Sequence, residues 1–280
     1  MNSLAKVFND PTDARYRLWH TVVAVFIFIS CIALALETVP ELDSRFHAEF
    51  MTLEWISVAI FTVDYIANLL FSEQKLKYAF SLWGIIDLIS ILPSYLMLLN
   101  LTALQGTKVL RLLRIARVLR VLKLARSAMS EAAEASNPIV ANLRIYFIIF
   151  FSVMMISSTA MFFFEGGLYS AEALEAGQQV LDVQAKADGV EAAKFMPVDP
   201  LSGNPIPEDK RFFTSIPTSM WWCIVTLTST GYGDMFPVTA GGRIIAGITM
   251  FLGLVLFCIL LNVIGRTLMV VLFGEKLKQD

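Results

Sequence analysis

The sequence predicts an all-α membrane protein, in which four helices form one bundle and two more enclose a re-entrant helix and loop. Three observations predict it. Of 280 residues, 56% are hydrophobic and 16% charged, and mean hydropathy is +0.66, too apolar for an ordinary soluble domain. Six apolar runs, at 18–36, 50–71, 83–99, 108–126, 139–164 and 243–273, are mostly near the ~20 residues needed to cross a hydrocarbon core of about 30 Å. In the fourth run Arg111, Arg114, Arg117, Arg120, Lys123 and Arg126 recur at every third position.

The first run contains a stretch, 22–32, followed by Ala33-Leu34-Ala35, that could pass for a cleavable leader. The long segment ahead of it, with Asp10, Pro11 and Asp13, suits a span better. Glu37-Thr38-Val39-Pro40, residues 72–77, residues 100–106 and Asn137-Pro138 punctuate the runs. Orientation follows from loop cations. Lys6, Arg15 and Arg17 precede the first helix, Lys75 and Lys77 follow the second, and Arg266, Lys276 and Lys278 close the chain. Between the first two helices Arg45 stands among Glu37, Glu41, Asp43 and Glu49, so both termini are expected in the cytoplasm. Asn100-Leu101-Thr102 is a formal glycosylation triplet, read as coincidence because it lies close to the membrane. Cys31, Cys223 and Cys258 and two His match no metal or disulfide spacing. No cofactor or hydrolytic constellation stands out, and the net charge of −2 gives no reason to expect nucleic acid. An enzyme is not expected.

The fourth run requires an explanation, since a cation at the bilayer centre costs about 2.5–3.5 kcal/mol even on the lenient insertion scale. A basic helix lying on a surface is the plain alternative. Such a helix repeats its polar face at 3.6 residues on average, whereas a strict period of three winds a spiral stripe. A 3₁₀-helix would align the same residues on one face. Sliding by three residues carries each cation into its predecessor's place, which suits a moving charge ladder, a voltage sensor. In the second run Glu54 and Asp64 are ten residues apart, about 15 Å along a helix, and Phe61 and Asp64 share a face. Each of Glu54, Asp64 and Asp87 could alone be a helix-end carboxylate, and Phe61 alone could be ordinary packing. Together with a cation ladder they read as outer and inner partners about an aromatic plug.

Between the fifth and sixth runs, 216–228 reads as a short apolar helix carrying Trp221 and Trp222. Ser229-Thr230-Gly231-Tyr232-Gly233-Asp234 follows directly. Irregular backbone at membrane depth is tolerated only where it lines a cavity or is buried in protein. Alternate glycines permit angles that turn successive carbonyls the same way, and a ring of such carbonyls replaces the hydration shell of a potassium ion.

On these residues the chain resembles the six-transmembrane voltage-gated potassium channels, of a prokaryotic type, over nearly its whole length. Residues 226–234 are similar to that family's filter signature, Phe213-Thr214-Ser215-Ile216-Pro217 with Trp221-Trp222 to its pore-helix entry, and the ladder to its fourth helix. The resemblance implies that Glu54, Phe61, Asp64 and Asp87 are counter-charges and plug, and that Gly253 is the hinge of the last helix. It also implies that Trp221, Trp222 and Asp234 support the filter. Ser229 stands where the family usually has Thr, Thr230 where it has Val, and Leu260-Leu261-Asn262 replaces a Pro-Val-Pro bend. The cytoplasmic tetramerisation domain of many animal members is not expected before residue 18, nor a ligand-binding domain after 273.

The expected organisation is therefore a cytoplasmic N-terminus at 1–17, a four-helix voltage-sensor domain at 18–126 and a linker helix at 127–138. A two-helix pore module at 139–273 follows, with an outer loop at 165–211, a pore helix at 216–228 and the filter at 229–233. A cytoplasmic tail closes the chain at 274–280. The outer loop holds nine acidic and four basic residues, a net of −5. It is either a cation-concentrating vestibule or simply a solvated connection. A single filter segment without internal repetition requires four chains, most simply a homotetramer in the lipid of the cell membrane. It would pass potassium ions on depolarisation with no cofactor. A modulatory subunit needing a conducting partner is one alternative. A secondary transporter is another, marked by repeats with paired broken helices, which are not visible.

Overall fold

The computed structural model describes residues 13–72, 74–98, 116–124 and 138–273. Among these the regular elements are helical, with one isolated bridge between Val198 and Pro205. They fall into two compact units, residues 1–155 with 256–280, and residues 156–255.

In the first unit, α1 (Ala14–Glu37) starts at Asp13, whose carboxylate accepts from Arg15 N at 2.8 Å. Val23, Ile27, Cys31 and Leu34, three and four residues apart, form its buried stripe. Helix α2 (Pro40–Phe71) begins ten residues earlier than the apolar run suggests. Pro40 at the first turn, with Glu41 and Asp43 behind it, forms a good helix start, so the polar stretch 41–49 extends the helix where a connection was expected. The extension is kinked at Phe46, which has non-helical angles of φ −123° and ψ 23°. A short α3 (Lys75–Ala79) leads into α4 (Leu82–Leu98). A β-carbon on Gly84 would overlap the Tyr78 carbonyl, so only glycine lets these two helices meet so tightly. The described part of the fourth run is a 3₁₀ segment, Arg117–Val121. Arg111, Arg114 and Arg126, the expected linker helix and Asn100 lie outside the described residues. The unit also contains residues 138–155 of α5 (Pro138–Phe164), where Phe151 packs on Phe28 of α1 with ring centroids 4.7 Å apart.

In the second unit, the segment expected as an outer loop contains α6 (Ala171–Asp188). Ser170 caps its start by accepting from Ala173 N at 3.3 Å, and Gly189, at φ 70°, ends it in the left-handed conformation. Ala- and Glu-rich sequence favours helix here, but the helix is too polar for a hydropathy reading to find. The chain returns along α6. The Gln178 side chain donates to Ala193 O at 3.1 Å and accepts from Phe195 N at 2.7 Å. Asp199 then holds the following turn, accepting from Leu201 N, Ser202 N and the Ser202 hydroxyl, and reaches Ala240 N at 3.4 Å. These bonds, the Ser202 hydroxyl foremost, hold its carboxyl below the usual range. Helix α7 (Ile216–Leu227) and the start of α8 (Ala240–Phe273) complete the unit. Among the described residues four helical spans are long and apolar enough to cross a membrane, beginning at Ala14, Pro40, Ile139 and Ala240.

A β-carbon on Gly177 would overlap the Phe195 ring. Gly177→Leu should therefore destabilise the 171–196 segment by about 1–3 kcal/mol, the usual cost of overpacking. Hydrogen exchange should speed up there while protection of α7 stays unchanged.

Candidate functional site

The first site is the core of the four-helix unit. Arg117, Arg120 and Lys123 are 3%, 1% and 7% exposed, and cations so far from water need fixed partners. The 3₁₀ segment points Arg117 and Arg120 to one side, as a three-residue turn requires, and Lys123 follows two residues beyond its end. Arg117 lies 3.4 Å from both Glu37 Oε2 at the end of α1 and Glu54 Oε1 on α2. Arg120 grips Glu54 with both ends of its guanidinium, Nη1 to Oε2 at 3.0 Å and Nη2 to Oε1 at 2.9 Å. This fork is the strongest geometry for such a pair. Its Nε donates to Arg117 O at 2.8 Å, which locks the side chain against its own turn. Lys123 Nζ sits 3.0 Å from Asp64 Oδ2 and 3.0 Å from Asp87 Oδ1.

Phe61 separates the two groups of charges. It is fully buried, with Arg120 Cζ 5.5 Å and Lys123 Nζ 5.3 Å from its ring centroid. A desolvated cation over an aromatic face gains about 2 kcal/mol, so the ring attracts the cations on either side while excluding water between them. Ser94 Oγ donates to Glu54 Oε1 at 2.7 Å, Trp19 Nε1 to Asp64 Oδ1 at 2.9 Å, and Tyr78 OH to Asp87 Oδ2 at 2.6 Å.

The second site lies in the other unit. Ser215 and Thr218 form a reciprocal cap at the start of α7, with Pro217 in its first turn. Beyond the helix, Thr230 N and Gly231 N donate back to Val225 O at 3.0 and 3.3 Å. Ser229, Gly231 and Gly233 have φ of 57°, 58° and 79°, and Ser229 is the sole non-glycine with positive φ among the described residues. Backbone handedness therefore alternates along 229–233, the condition for successive carbonyls to face one side. Trp221 Nε1 donates to Asp234 Oδ2 at 2.8 Å, and its ring stacks on Tyr232 with centroids 5.9 Å apart and planes 5° apart. The Thr230 hydroxyl, absent from the usual Val, pairs with Thr228 Oγ1 at 2.8 Å.

Trp222 makes a T-shaped contact with Phe213, with ring centroids 5.7 Å apart. It secures the entry of α7. Gly253 lies inside the continuous α8, and a β-carbon there would come within 2.9 Å of Leu227 Cα and O. Its observed service is close approach to the end of α7. Glu165 was missed by sequence reasoning. It is fully buried and accepts from Thr239 N at 2.8 Å and Thr239 Oγ1 at 2.9 Å, tying the end of α5 to the start of α8. An acid closing an apolar run and followed by Gly166-Gly167 was its signal. Glu37, Ser94, Trp19 and Tyr78 were also missed as site residues, since each is marked only by a partner on another element.

A family described as ion transport protein matches residues 16–277. The chain is 26% identical over 272 residues to the A-type voltage-gated potassium channel KCND3 of Rattus norvegicus and of Homo sapiens, covering 92% of this chain and 35% of each of those. It is 26% identical over 277 residues to the voltage-gated potassium channel regulatory subunit KCNG3 of Homo sapiens, covering 92% of this chain and 57% of that one. The chain thus spans about a third to somewhat over half the length of these relatives.

Glu54→Gln keeps the shape of the side chain but leaves the two buried guanidiniums without their shared charge. Breaking a buried pair costs about 3–5 kcal/mol, so the thermal midpoint of the detergent-solubilised variant should fall clearly. Ser94→Ala, which leaves the charges paired, should lower it much less.

Proposed function

Because the chain belongs to the ion transport protein family, we infer that it is the subunit of a voltage-gated, potassium-selective channel. Four identical copies would surround the pore in the cell membrane, with both termini cytoplasmic, permeation passive and no cofactor needed. The observation that carries this reading is the ladder. Successive cations three residues apart occupy successive acid positions on the two sides of one buried ring, Arg120 with Glu54 and Lys123 with Asp64 and Asp87. A three-residue slide would exchange Lys123 for Arg120 at the inner acids with the pairing chemistry preserved. A positive interior drives the ladder cations outward, and in this reading that movement opens the gate, so depolarisation is the opening stimulus. The alternation of backbone handedness at 229–233 supports an ion-coordinating row made of the carbonyls of Ser229, Thr230, Gly231 and Tyr232 and the Ser229 hydroxyl.

One specific observation favours a second reading. Some relatives are regulatory subunits, and Ser229 and Thr230 depart from the usual filter residues. Potassium flux from the purified chain alone in liposomes supports the conducting channel, and flux that appears only with a second subunit supports the regulatory one.

Under potassium on one face and sodium on the other, the reversal potential should lie far from zero. A reversal near zero would sink the selectivity assignment. Gly231→Ala places a β-carbon at φ 58°, which costs about 1–2 kcal/mol in a left-handed conformation, and should erode selectivity. Ser229→Thr should preserve it.

Moving one charge through 100 mV is worth about 2.3 kcal/mol, and three to four charges in each of four sensors give roughly 28–37 kcal/mol. Arg117→Gln should accordingly make opening less steep with voltage and leave selectivity unchanged. Unaltered gating charge after neutralising Arg117 and Arg120 in turn would show the ladder to be structural.

A further inference from the structure

The two inner acids of the ladder site each give one carboxylate oxygen to the ladder cation and the other to a neutral donor from another helix. Asp64 gives Oδ2 to Lys123 at 3.0 Å and Oδ1 to the indole N–H of Trp19, in the second turn of α1, at 2.9 Å. Asp87 gives Oδ1 to Lys123 at 3.0 Å and Oδ2 to the hydroxyl of Tyr78, on α3, at 2.6 Å. Both carboxylates are buried, at 3% and 2% exposure. Their two remaining oxygens converge on the point where Nζ sits.

We propose that Trp19 and Tyr78 are positioning residues for charge movement, which hold the inner carboxylates aimed while one ladder cation leaves and the next arrives. This rests on the voltage-sensor reading above. During such an exchange the two carboxylates are left facing one another without a cation between them, and like charges in a dry site repel strongly. A fixed neutral donor counters this without moving with the ladder. Its bond to a carboxylate is charge-assisted, and it strengthens when the cation departs, because the anion's charge is then no longer shared. The donors therefore stabilise the vacant site more than the occupied one and lower the barrier between successive occupancies. An indole N–H can only donate, so Trp19 cannot capture a passing cation in place of the acid. Asn68 Nδ2, donating to Asp64 O at 2.8 Å, fixes the side chain at 68 against the same turn of α2.

The test is gating-current measurement on the full-length assembled protein carrying Trp19→Phe or Tyr78→Phe. Charge movement should slow about 3- to 10-fold in both directions, tenfold being 1.36 kcal/mol of barrier, with total charge unchanged. The voltage midpoint should move little, since a cation fills the inner site at both ends of the transition. Trp19→Phe should have no such effect when Asp64 is already Asn, which a purely structural role would not predict. Should Trp19→Phe fail to assemble, a benzothiophene analogue at 19 keeps the shape and removes only the N–H, and Tyr78→Phe removes a single oxygen. Normal charge with unchanged kinetics in the variants would overturn this inference alone. A parent chain that moves no charge with voltage would overturn the sensor reading, and this inference with it.

Discussion

Three cations are held out of water within one helical bundle, and most of that bundle is arranged around the difficulty this creates. A guanidinium at 1% exposure loses its hydration, at a cost of several kcal/mol per ion, and recovers it only through well-placed opposite charge with the remaining hydrogen-bonding positions filled. Every described helix of the bundle contributes to that recovery. Helix α1 supplies Glu37 and Trp19, α2 supplies Glu54, Phe61 and Asp64, the short α3 supplies Tyr78, and α4 supplies Asp87 and Ser94. The tight junction at Gly84 acquires its purpose here. It brings α3 close enough to the start of α4 for Tyr78 to reach Asp87, nine residues further along the chain. The 3₁₀ winding of 117–121 belongs to the same solution, because an α-helix would turn every third residue about 60° away from its predecessor, and Arg117 and Arg120 could not both reach Glu54 so directly.

The other unit faces a problem of backbone geometry. Positive φ at Ser229 costs about 1–3 kcal/mol for a side-chain-bearing residue, and such strain persists only where neighbours over-determine it. They do so from both ends. Thr230 N and Gly231 N return to Val225 O, while Asp234 and Tyr232 are fixed on the Trp221 ring. Helix α7 is itself anchored at its start by the Ser215–Thr218 cap and by Phe213, which receives the edge of Trp222 and donates its N–H to Tyr169. A serine at 229 carries less steric penalty at φ 57° than a β-branched threonine would. The substitution thus relaxes the strand while keeping a hydroxyl at that position.

Much of this was legible in the sequence because it depends on period and composition. The spans follow from apolar length, the regular recurrence of ladder cations from their three-residue spacing, which left open whether they spiral or align, and the shared face of Phe61 and Asp64 from helical geometry. The beginning of α2 was not, because the nine residues after Pro40, six of them polar, look like a connection to any reading based on hydropathy, although Pro40, Glu41 and Asp43 formed a readable helix start. Helix α6 escaped for the same reason. The neutral donors could not be found from sequence at all. Trp19 and Asp64 are 45 residues apart, Ser94 and Glu54 40, and nothing in the local pattern distinguishes a tryptophan that donates to a buried acid from one that packs. Glu165 stands between these cases, since its place at the end of an apolar run was visible but its partner Thr239, 74 residues on, was not.

The two sites use oxygen in opposite ways, and the difference follows from what each must stabilise. In the ladder site the cations are covalently part of the chain and the oxygens belong to ionised carboxylates. A full negative charge is needed because each cation must be held in a site shielded from water on every side. Along 229–233 the oxygens belong to neutral backbone carbonyls. In the channel proposed above, a diffusing cation bound by full charges would leave slowly, whereas a row of carbonyl dipoles can match the energy of its water shell without trapping it. Carboxylates are mobile on their side chains and need donors such as Ser94, Trp19 and Tyr78 to aim them, while carbonyls are aimed by φ and ψ alone. That is why the first site is built from long-range side-chain hydrogen bonds and the second from glycine, a positive-φ serine and a helix end.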